Sequence, residues 1–464
     1  LGSTSGATSI TSGAALSISG GITVAEPITV NGTGVSSGGA IAFTANDNTY
    51  SGAITLGSTS TIVSTGGAQT ISATVNGGQA LTITANGNLV ISGAVGGSTD
   101  LSSYAVTTTG SASQTFSTNV ETTGNQTYTA AGGIVTSGAR TFDSSSGTVN
   151  FASALSGNNN VTVTGNADID GAITDIAVLS ISGTSNIGAD ITTSGTQTYT
   201  GAVTLSANVT LTTSSDVFTF DSTVNSDGST RNLTIATGGN STEINFDGVV
   251  GGSAAVGAIT ITGALDLNAP IISATSLSVS GVSNLGANVT TSDTQTYSGA
   301  TTLSGGARTL AGSTIQTVAV NGAQNLTITG NLDLNGAITQ VAVFAVSGTT
   351  DLGANVTTTG TQTYSGAVTL SADVTLTSSD DNFTFSSTVD SADSTARDLT
   401  LSAGSGTIGI SNAIGGIQEL DVITITQSGG VTFSDAINAD TVTLTDTTGS
   451  VTFAGSTALE TLNT

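Results

Sequence analysis

Residues 161–205 read VTVTGNADIDGAITDIAVLSISGTSNIGADITTSGTQTYTGAVTL, and this stretch predicts the fold of the whole chain. A β-branched or aromatic residue followed by Ser or Thr and then Gly occurs in it three times, at Val163, Ile181 and Tyr199. We call these first positions anchors, and successive anchors are 18 residues apart. The same triplet of anchors returns in two later stretches, at Ile261, Val279 and Tyr297 and at Ile328, Val346 and Tyr364. An internal repeat of about this length is typical of solenoids.

Three further columns keep the 18-residue period. A Gly follows each anchor by two residues, an aliphatic residue follows by six, and a second aliphatic residue follows by ten, with Ala307 as the one exception in the last column. Such columns predict a coil of about three short strands that point their aliphatic side chains inward. We expect the Gly to supply positive φ at a corner. The stacked coils would then form a parallel β-solenoid with about 18–20 residues per coil. Left-handed hexapeptide solenoids have coils of similar length but place an aliphatic residue at every sixth position, which columns at 0, 6 and 10 do not, so right-handed winding is the better expectation.

A larger repeat, with imperfect copies near 161–258, 259–325 and 326–427, distinguishes the solenoid from a string of β-sandwich domains. The distance from Tyr199 to the next anchor is 62 residues, whereas the distance from Tyr297 is 31. A sandwich that lost this many residues would lose core strands, but a solenoid tolerates the loss or gain of coils. We read 218–235 and 383–401 as such extra coils. The chain is therefore expected to form one continuous solenoid over residues 1–464.

The composition excludes several classes of function. The 464 residues include no His, Cys, Met or Trp, and only four basic residues oppose 30 acidic ones, for a net charge of −26. This field disfavours nucleic acid and anionic membranes as partners. Without Cys there is no disulfide framework, and no apolar run is long enough to span a bilayer as a helix. The hydrophobic fraction of 37% indicates a folded chain rather than a disordered one.

The repeat strings resemble those of a known class of proteins. Gly201-Ala202-Val203-Thr204-Leu205-Ser206 and Asn325-Leu326-Thr327-Ile328-Thr329-Gly330 are similar to the repeat regions of filamentous-haemagglutinin-type exoproteins and autotransporter passengers. The resemblance covers most of the chain, but it rests on the kind of repeat string and its period, without a signature motif. It implies a right-handed β-helix displayed outside a Gram-negative bacterial cell, with a role in adhesion or surface structure, and it brings no catalytic residues.

A column of hydroxyl side chains is the first candidate binding surface. If the anchors point inward, their flanking residues project outward in pairs, namely Thr162 and Thr164, Ser180 and Ser182, and Thr198 and Thr200. A regular Thr ladder could order water and bind ice. Thr is also simply a good strand residue, and Ser pairs and Ala345 interrupt the ladder.

Two other sets of polar residues recur at matching positions. Acidic or amide residues flank the second column at Asp168 and Asp170, Asp266 and Asn268, and Asp333 and Asn335. Calcium needs several converging oxygen ligands, so solvated side chains are the expectation, with loose calcium binding as an alternative. Gln197, Gln295 and Gln362 precede the Tyr anchors by two residues. They are expected to point inward and satisfy backbone groups, and a glycan contact is the alternative.

A polysaccharide-degrading enzyme is the alternative from another class, because parallel β-helices can carry paired carboxylates in a groove. The adjacent acids Asp380 and Asp381 sit in a Ser-rich turn, and the chain has no Lys and few aromatic residues. We therefore assign no catalytic, cofactor-binding or metal-binding residues and expect no cofactor.

The prediction from sequence is a secreted, non-enzymatic protein of the cell surface. It would serve as a β-helical stalk, an adhesin or the subunit of a fibre, and an ice- or glycan-binding solenoid is the alternative. The two ends of the chain, Leu1-Gly2-Ser3 and Leu462-Asn463-Thr464, carry no obvious polar cap. Because unpaired strand edges recruit further strands, we expect self-association or a longer parent protein. The chain also does not begin with Met, so we expect a processed product.

Overall fold

The computed structural model describes residues 6–464, so Leu1-Gly2-Ser3 lie outside the described residues. The chain divides into two compact units, Leu1–Gly238 and Gly239–Thr464. Each unit is a parallel β-solenoid, and the coils of the two together number about 22, with about 21 residues per coil. The predicted fold class is confirmed. That both units form one continuous solenoid stays a prediction.

Most strands are three to five residues long and are separated by short corners. The first unit contains β1 Thr8–Ile10, β2 Leu16–Ile18, β3 Thr23–Val24, β4 Ile28–Gly32, β5 Ile41–Phe43, β6 Asn48–Tyr50, β7 Ile54–Ser64, β8 Gln69–Ile71, β9 Val75–Asn76, β10 Ala80–Ala85, β11 Leu89–Ile91, β12 Ser103–Thr108, β13 Gln114–Phe116, β14 Val120–Thr122, β15 Gln126–Ala130, β16 Ile134–Thr136, β17 Arg140–Phe151, β18 Leu155–Ser156, β19 Val161–Ile169, β20 Ile173–Ile176, β21 Leu179–Ile181, β22 Ser185–Ile187, β23 Ile191–Thr193, β24 Gln197–Tyr199, β25 Val203–Leu205, β26 Val209–Thr213, β27 Phe218–Phe220, β28 Val224–Ser226 and β29 Arg231–Ala236. A short 3₁₀ helix lies at Val35–Ser37.

The second unit is built in the same way. Its strands are β30 Glu243–Phe246, β31 Val256–Thr262, β32 Ala264–Leu267, β33 Ile271–Val279, β34 Ser283–Leu285, β35 Val289–Thr291, β36 Gln295–Tyr297, β37 Thr301–Leu303, β38 Arg308–Thr317, β39 Val320–Asn321, β40 Leu326–Leu334, β41 Ile338–Val341, β42 Phe344–Val346, β43 Thr350–Leu352, β44 Val356–Thr358, β45 Gln362–Tyr364, β46 Val368–Leu370, β47 Val374–Thr377, β48 Phe383–Phe385, β49 Val389–Ser391, β50 Leu399–Ser402, β51 Thr407–Ile410, β52 Leu420–Gln427, β53 Gly430–Phe433, β54 Ile437–Leu444, β55 Val451–Phe453 and β56 Thr457–Asn463.

The anchors stack on one another as the 18-residue spacing predicts. Val163 lies opposite Ile181, and Ile181 lies opposite Tyr199, in parallel register. The other two triplets pair in the same way. All nine anchors are buried, while the residue before each one faces outward, because side chains alternate along a strand. An antiparallel sandwich would not place these residues in one column, so the rival fold is excluded.

The prediction for the column ten residues after the anchors is wrong at the coil that follows each Tyr anchor. Ile191 pairs with Leu211 rather than Val209, and the equivalent partners in the later stretches are Leu310 and Leu376. The coil that follows each Tyr anchor is therefore longer than 18 residues, because its third strand begins two residues before the residue that pairs with the preceding coil, at Val209, Arg308 and Val374. The apparent exception at Ala307 disappears, since Ala307 does not belong to the column. An average near 21 residues per coil means that many coils are longer than the 18-residue period.

The predicted extra coils are present. Phe220 stacks on Tyr199 and Ile235 on Leu211, and in the second unit Phe385 stacks on Tyr364. The rings of Tyr199 and Phe220 lie 5.2 Å apart and nearly parallel, and those of Tyr364 and Phe385 lie 4.9 Å apart. Aromatic residues therefore continue the anchor column into the longer coils, where their rings stack on one another.

The corner glycines serve mainly close packing. Gly165, the first of its column, has a φ of 107°, but the next two, Gly183 and Gly201, are not among the glycines with positive φ. A Cβ at Gly183 would lie within 3.0 Å of the Gly165 carbonyl of the preceding coil. The Gly183 N–H donates to that same carbonyl over 2.9 Å. The expectation that each corner Gly supplies positive φ is thus wrong for these positions, and absence of a side chain is what the corner needs.

Candidate functional site

The outward face of the first unit carries a ladder of amide and carboxylate side chains. Asn150, Asp168, Asn186 and Thr204 are direct neighbours on β17, β19, β22 and β25. The Asn150 Nδ2 donates to Asp168 Oδ2 over 2.7 Å, and the Asn186 Nδ2 donates to Asp168 Oδ1 over 2.8 Å. Asp168 is therefore held between two amides, and this column is ordered by side chains as well as by the backbone.

A groove of about 460 Å³ lies along this ladder. It is lined by Asn125, Thr127, Thr148, Asn150, Ala152, Asp168 and Asp170. Asp170, which sequence analysis placed beside Asp168, also accepts from Asn150 Nδ2, over 3.0 Å. The lining is almost entirely amide, hydroxyl and carboxylate, so the groove can exchange hydrogen bonds with a polar ligand. We call it the Asn–Asp groove.

The second unit repeats the ladder. Asn245, Asp266, Asn284 and Thr302 are neighbours on β30, β32, β34 and β37. Asp266 Oδ1 accepts from Asn284 Nδ2 over 2.7 Å, and Asp266 Oδ2 accepts from Asn268 Nδ2 over 3.1 Å. Asp168, Asp170 and Asp266, which were expected to be solvated, are therefore hydrogen-bonded to amides of their own coil or of a neighbouring coil.

The third copy departs from this pattern. Asp333 lies opposite Asp351 on the next coil, at the position where the other copies have Asn186 and Asn284. Asp333 accepts from Asn335 Nδ2 over 2.9 Å and from Gln316 Nε2 over 3.2 Å, but it receives no amide from the following coil. Two carboxylates stacked in register repel each other.

The Thr-x-Thr columns are present but interrupted. Thr141, Thr162, Ser180, Thr198 and Thr219 follow one another on successive coils of the first unit. In the second unit the corresponding run is Thr309, Thr327, Ala345, Thr363, Thr384, Gly409, Thr432 and Thr452. The hydroxyls thus form outward columns, as predicted, with gaps at Ala345 and Gly409.

The Gln residues before the Tyr anchors point inward and are fully buried. The Gln197 Nε2 donates to the Thr212 carbonyl over 2.9 Å and lies 3.2 Å from Thr193 Oγ1, while its Oε1 accepts from the Tyr199 hydroxyl over 2.8 Å. Burial raises the pKa of Tyr199 well above its usual value of 10. Gln295 and Gln362 make the same contacts, and Gln126 with Tyr128 adds a further copy. The expected structural role is confirmed, and a buried Gln cannot contact a glycan.

Sequence analysis missed a polar contact at the corners. Exposed Asn or Asp side chains accept a backbone N–H from the next coil, for example Asn288 from Thr309 over 3.0 Å and Asp190 from Thr210 over 2.7 Å. Asp380 does the same for Ser405 over 2.9 Å, which gives this acid a structural role. The signal was an Asn or Asp directly before many strands, a position where these residues bond to nearby backbone groups.

Charged side chains at the corners differ in their partners and in their burial. Arg231 donates to Asp227 over 2.8 Å, and this bond is the main cause that lowers the pKa of Asp227 to about 2. Desolvation by burial, with smaller contributions from Asp373 and Asp421, raises the pKa of Asp398. Arg308 instead donates from Nε to the Leu285 carbonyl over 2.9 Å.

Within residues 6–464 no group of three or more acidic side chains is arranged to hold a metal ion. No helix in the described part of the chain combines the length and apolarity needed to cross a membrane. Comparison with protein-family models, with curated proteins and with solved structures finds no match to this chain.

Proposed function

We propose that this chain is a non-enzymatic structural segment of an extracellular fibre, stalk or adhesive surface protein. The observation that supports the proposal is the stacking of each unit, in which every coil pairs with its neighbours through the backbone and through buried columns of aliphatic and aromatic residues. In such a fold, stability grows with neighbour contacts rather than with a globular interior.

The outer surface favours a role outside the cell. The resemblance to filamentous-haemagglutinin-type and autotransporter repeats supports display on a Gram-negative bacterial surface. A net charge of −26 keeps such a segment soluble and away from nucleic acid, while the outward faces carry short hydroxyl and amide groups. Self-association, end to end or lateral, belongs to the same proposal.

Electron microscopy of the purified chain tests this function. Elongated particles of one length support a stalk or adhesin, and filaments of indefinite length support a fibre subunit. Compact particles, or particles in which the two units are joined at variable angles, would overturn the proposal, because a stalk requires one elongated segment.

Glycan binding is a second candidate, favoured by the Asn–Asp groove. Its amides and carboxylates match the hydrogen-bonding groups of a saccharide. A glycan array probed with the chain and with Asn150→Ala tests it. Thr82→Ala is the control, since Thr82 is exposed on the same outward column but lies outside the groove. Binding that Asn150→Ala abolishes supports adhesion through this groove, and shortening of a bound glycan would instead support an enzyme.

Ice binding has weaker support than glycan binding, because Ala345 and Gly409 interrupt the Thr column of the second unit. Thermal hysteresis of a solution of the intact chain would be evidence for ice binding.

A further inference from the structure

Several corner Asn residues belong to Asn-x-Thr sequons, the acceptor sequence for N-linked glycosylation. Five of them share one geometry, namely Asn125, Asn208, Asn288, Asn355 and Asn382, with Thr127, Thr210, Thr290, Thr357 and Thr384 as their third residues. All five Asn residues are exposed, and the residue between each Asn and its Thr is buried. Since side chains two apart share a strand face, Asn and Thr project outward together.

The carbonyl oxygen of each of these side-chain amides accepts a backbone hydrogen bond. Asn288 Oδ1 accepts the Thr309 N–H over 3.0 Å, Asn355 Oδ1 accepts the Thr375 N–H over 2.8 Å, and Asn208 Oδ1 accepts the Asn232 N–H over 2.9 Å. The oxygens of the remaining two accept from the next coil in the same way. The Nδ2 atom of each, in contrast, donates no hydrogen bond within the described residues.

The coil-to-coil contact does not require an amide nitrogen. Asp190 and Asp373 make the same contact with a carboxylate, over 2.7 Å and 3.1 Å. A substituent on Nδ2 would leave the contact through Oδ1 intact. The packing of the coils is therefore compatible with a modified nitrogen at all five corners.

We propose that Asn125, Asn208, Asn288, Asn355 and Asn382 are acceptor sites for N-linked glycosylation of the folded chain. In the transfer, Nδ2 bonds to the anomeric carbon of a sugar from a nucleotide- or lipid-linked donor. The bond between that carbon and the donor phosphate oxygen breaks, the phosphate leaves with the electron pair, and one Nδ2 proton passes to a base of the transferase. The proposal concerns the folded surface and holds whether or not the chain is a fibre segment.

Another sequon of the chain supplies an internal control. Asn31-Gly32-Thr33 has the same sequence pattern, but the Asn31 Nδ2 donates to the Ile10 carbonyl over 3.0 Å and Asn31 is only partly exposed. Sequence alone would treat Asn31 like the other five. The structure distinguishes Asn31 from the other five, because the Asn31 Nδ2 must break a hydrogen bond before it can react.

The test exposes the full chain, folded or denatured, to a soluble sequon-directed glycosyltransferase and a nucleotide-activated hexose. Site-resolved mass spectrometry follows each Asn. In the folded chain we expect all five sites to react, and Asn31 to react about tenfold more slowly because one amide hydrogen bond must open first. In the denatured chain Asn31 should react as fast as the others.

Matched variants check the assignment. Thr290→Ala should abolish modification at Asn288 alone, and Thr290→Ser should retain it. Equal rates at Asn31 and the five sites in the folded chain would overturn the proposal, as would five unreactive sites that become reactive only on denaturation.

Discussion

At the scale of single residues, the most informative position is Asp351. The equivalent positions of the other two copies hold Asn186 and Asn284, each of which donates an amide hydrogen to the Asp of the preceding coil. Asp351 places a second carboxylate opposite Asp333 instead. The Asp of the outward ladder therefore accepts an amide of the next coil in two copies and faces a second carboxylate in the third.

Asp351→Asn is expected to stabilise the chain by about 0.5 kcal/mol, since it removes a like-charge pair and offers an amide donor to Asp333. Denaturant unfolding of the variant and the natural chain measures the change. The reciprocal substitution Asn186→Asp should destabilise by a similar amount. If Asp351→Asn lowers the unfolding midpoint at low ionic strength, repulsion is not the dominant effect at this site.

The buried Gln362 is the second residue with a clear energetic role. Its Nε2 donates to the Thr377 carbonyl over 2.9 Å, and its Oε1 accepts from the Tyr364 hydroxyl over 2.9 Å. Gln362→Leu is expected to cost about 2 kcal/mol, because it leaves buried polar groups without partners. Adding Tyr364→Phe should recover part of that loss. Strictly additive effects of the two substitutions would contradict the proposed bond between them.

At the scale of the coil, corners decide how closely the strands can stack. The Gly183 position lies against the Gly165 carbonyl, where a Cβ would approach to within 3.0 Å. Strand segments tolerate many residues outward, but this corner tolerates only Gly. The strict spacing of Gly after the anchors follows from that contact.

Gly183→Ala is expected to destabilise the first unit by about 1–3 kcal/mol, because the backbone must move away from the preceding coil. Hydrogen exchange should show faster opening of β21 and β22. Gly78→Ala is the matched control, since nothing lies within 4 Å of a Cβ at Gly78 and its φ is not positive. Equal effects at both positions would show that the close contact with the preceding coil is not the reason for Gly at this corner.

At the scale of the whole molecule, negative charge far exceeds positive charge. A net charge of −26 opposes close approach of two copies at neutral pH. Individual carboxylates also differ in their local surroundings, since a hydrogen bond from Arg231 lowers the pKa of Asp227 and desolvation by burial raises the pKa of Asp398. Acid therefore acts on stability and on association separately.

Because of Asp398, we expect the folded chain to gain stability on mild acidification. Its pKa in the folded chain lies above the ordinary value of 3.8, so the folded state binds a proton more readily than the unfolded state does. Its contribution to the free energy of unfolding rises as the pH falls from 7 through the raised pKa, and levels off below the unfolded value. Thermal unfolding measured from pH 7 to below the ordinary value of 3.8 covers this range. Asp398→Asn keeps the oxygen that accepts the Val422 N–H and should remove its share of the pH dependence.

Association should increase as the charge is neutralised. Near the isoelectric point of about 4.1 the repulsion between copies vanishes, so light scattering of the intact chain should rise. High salt at pH 7 should give a weaker increase by screening. Particles that stay monodisperse at pH 4.1 would show that charge is not what keeps the copies apart.

Sequence by itself determined the parallel solenoid, the stacking of the anchors and the inward Gln residues, because each depends on contacts that repeat at a constant spacing. It did not determine the shift from Val209 to Leu211, the close packing at Gly183, or the pairing of Asp168 with Asn150 and Asn186. These depend on which residues of neighbouring coils meet in three dimensions. The point at which each strand starts to pair with the preceding coil sets that register, and this point is not visible until the coils are stacked.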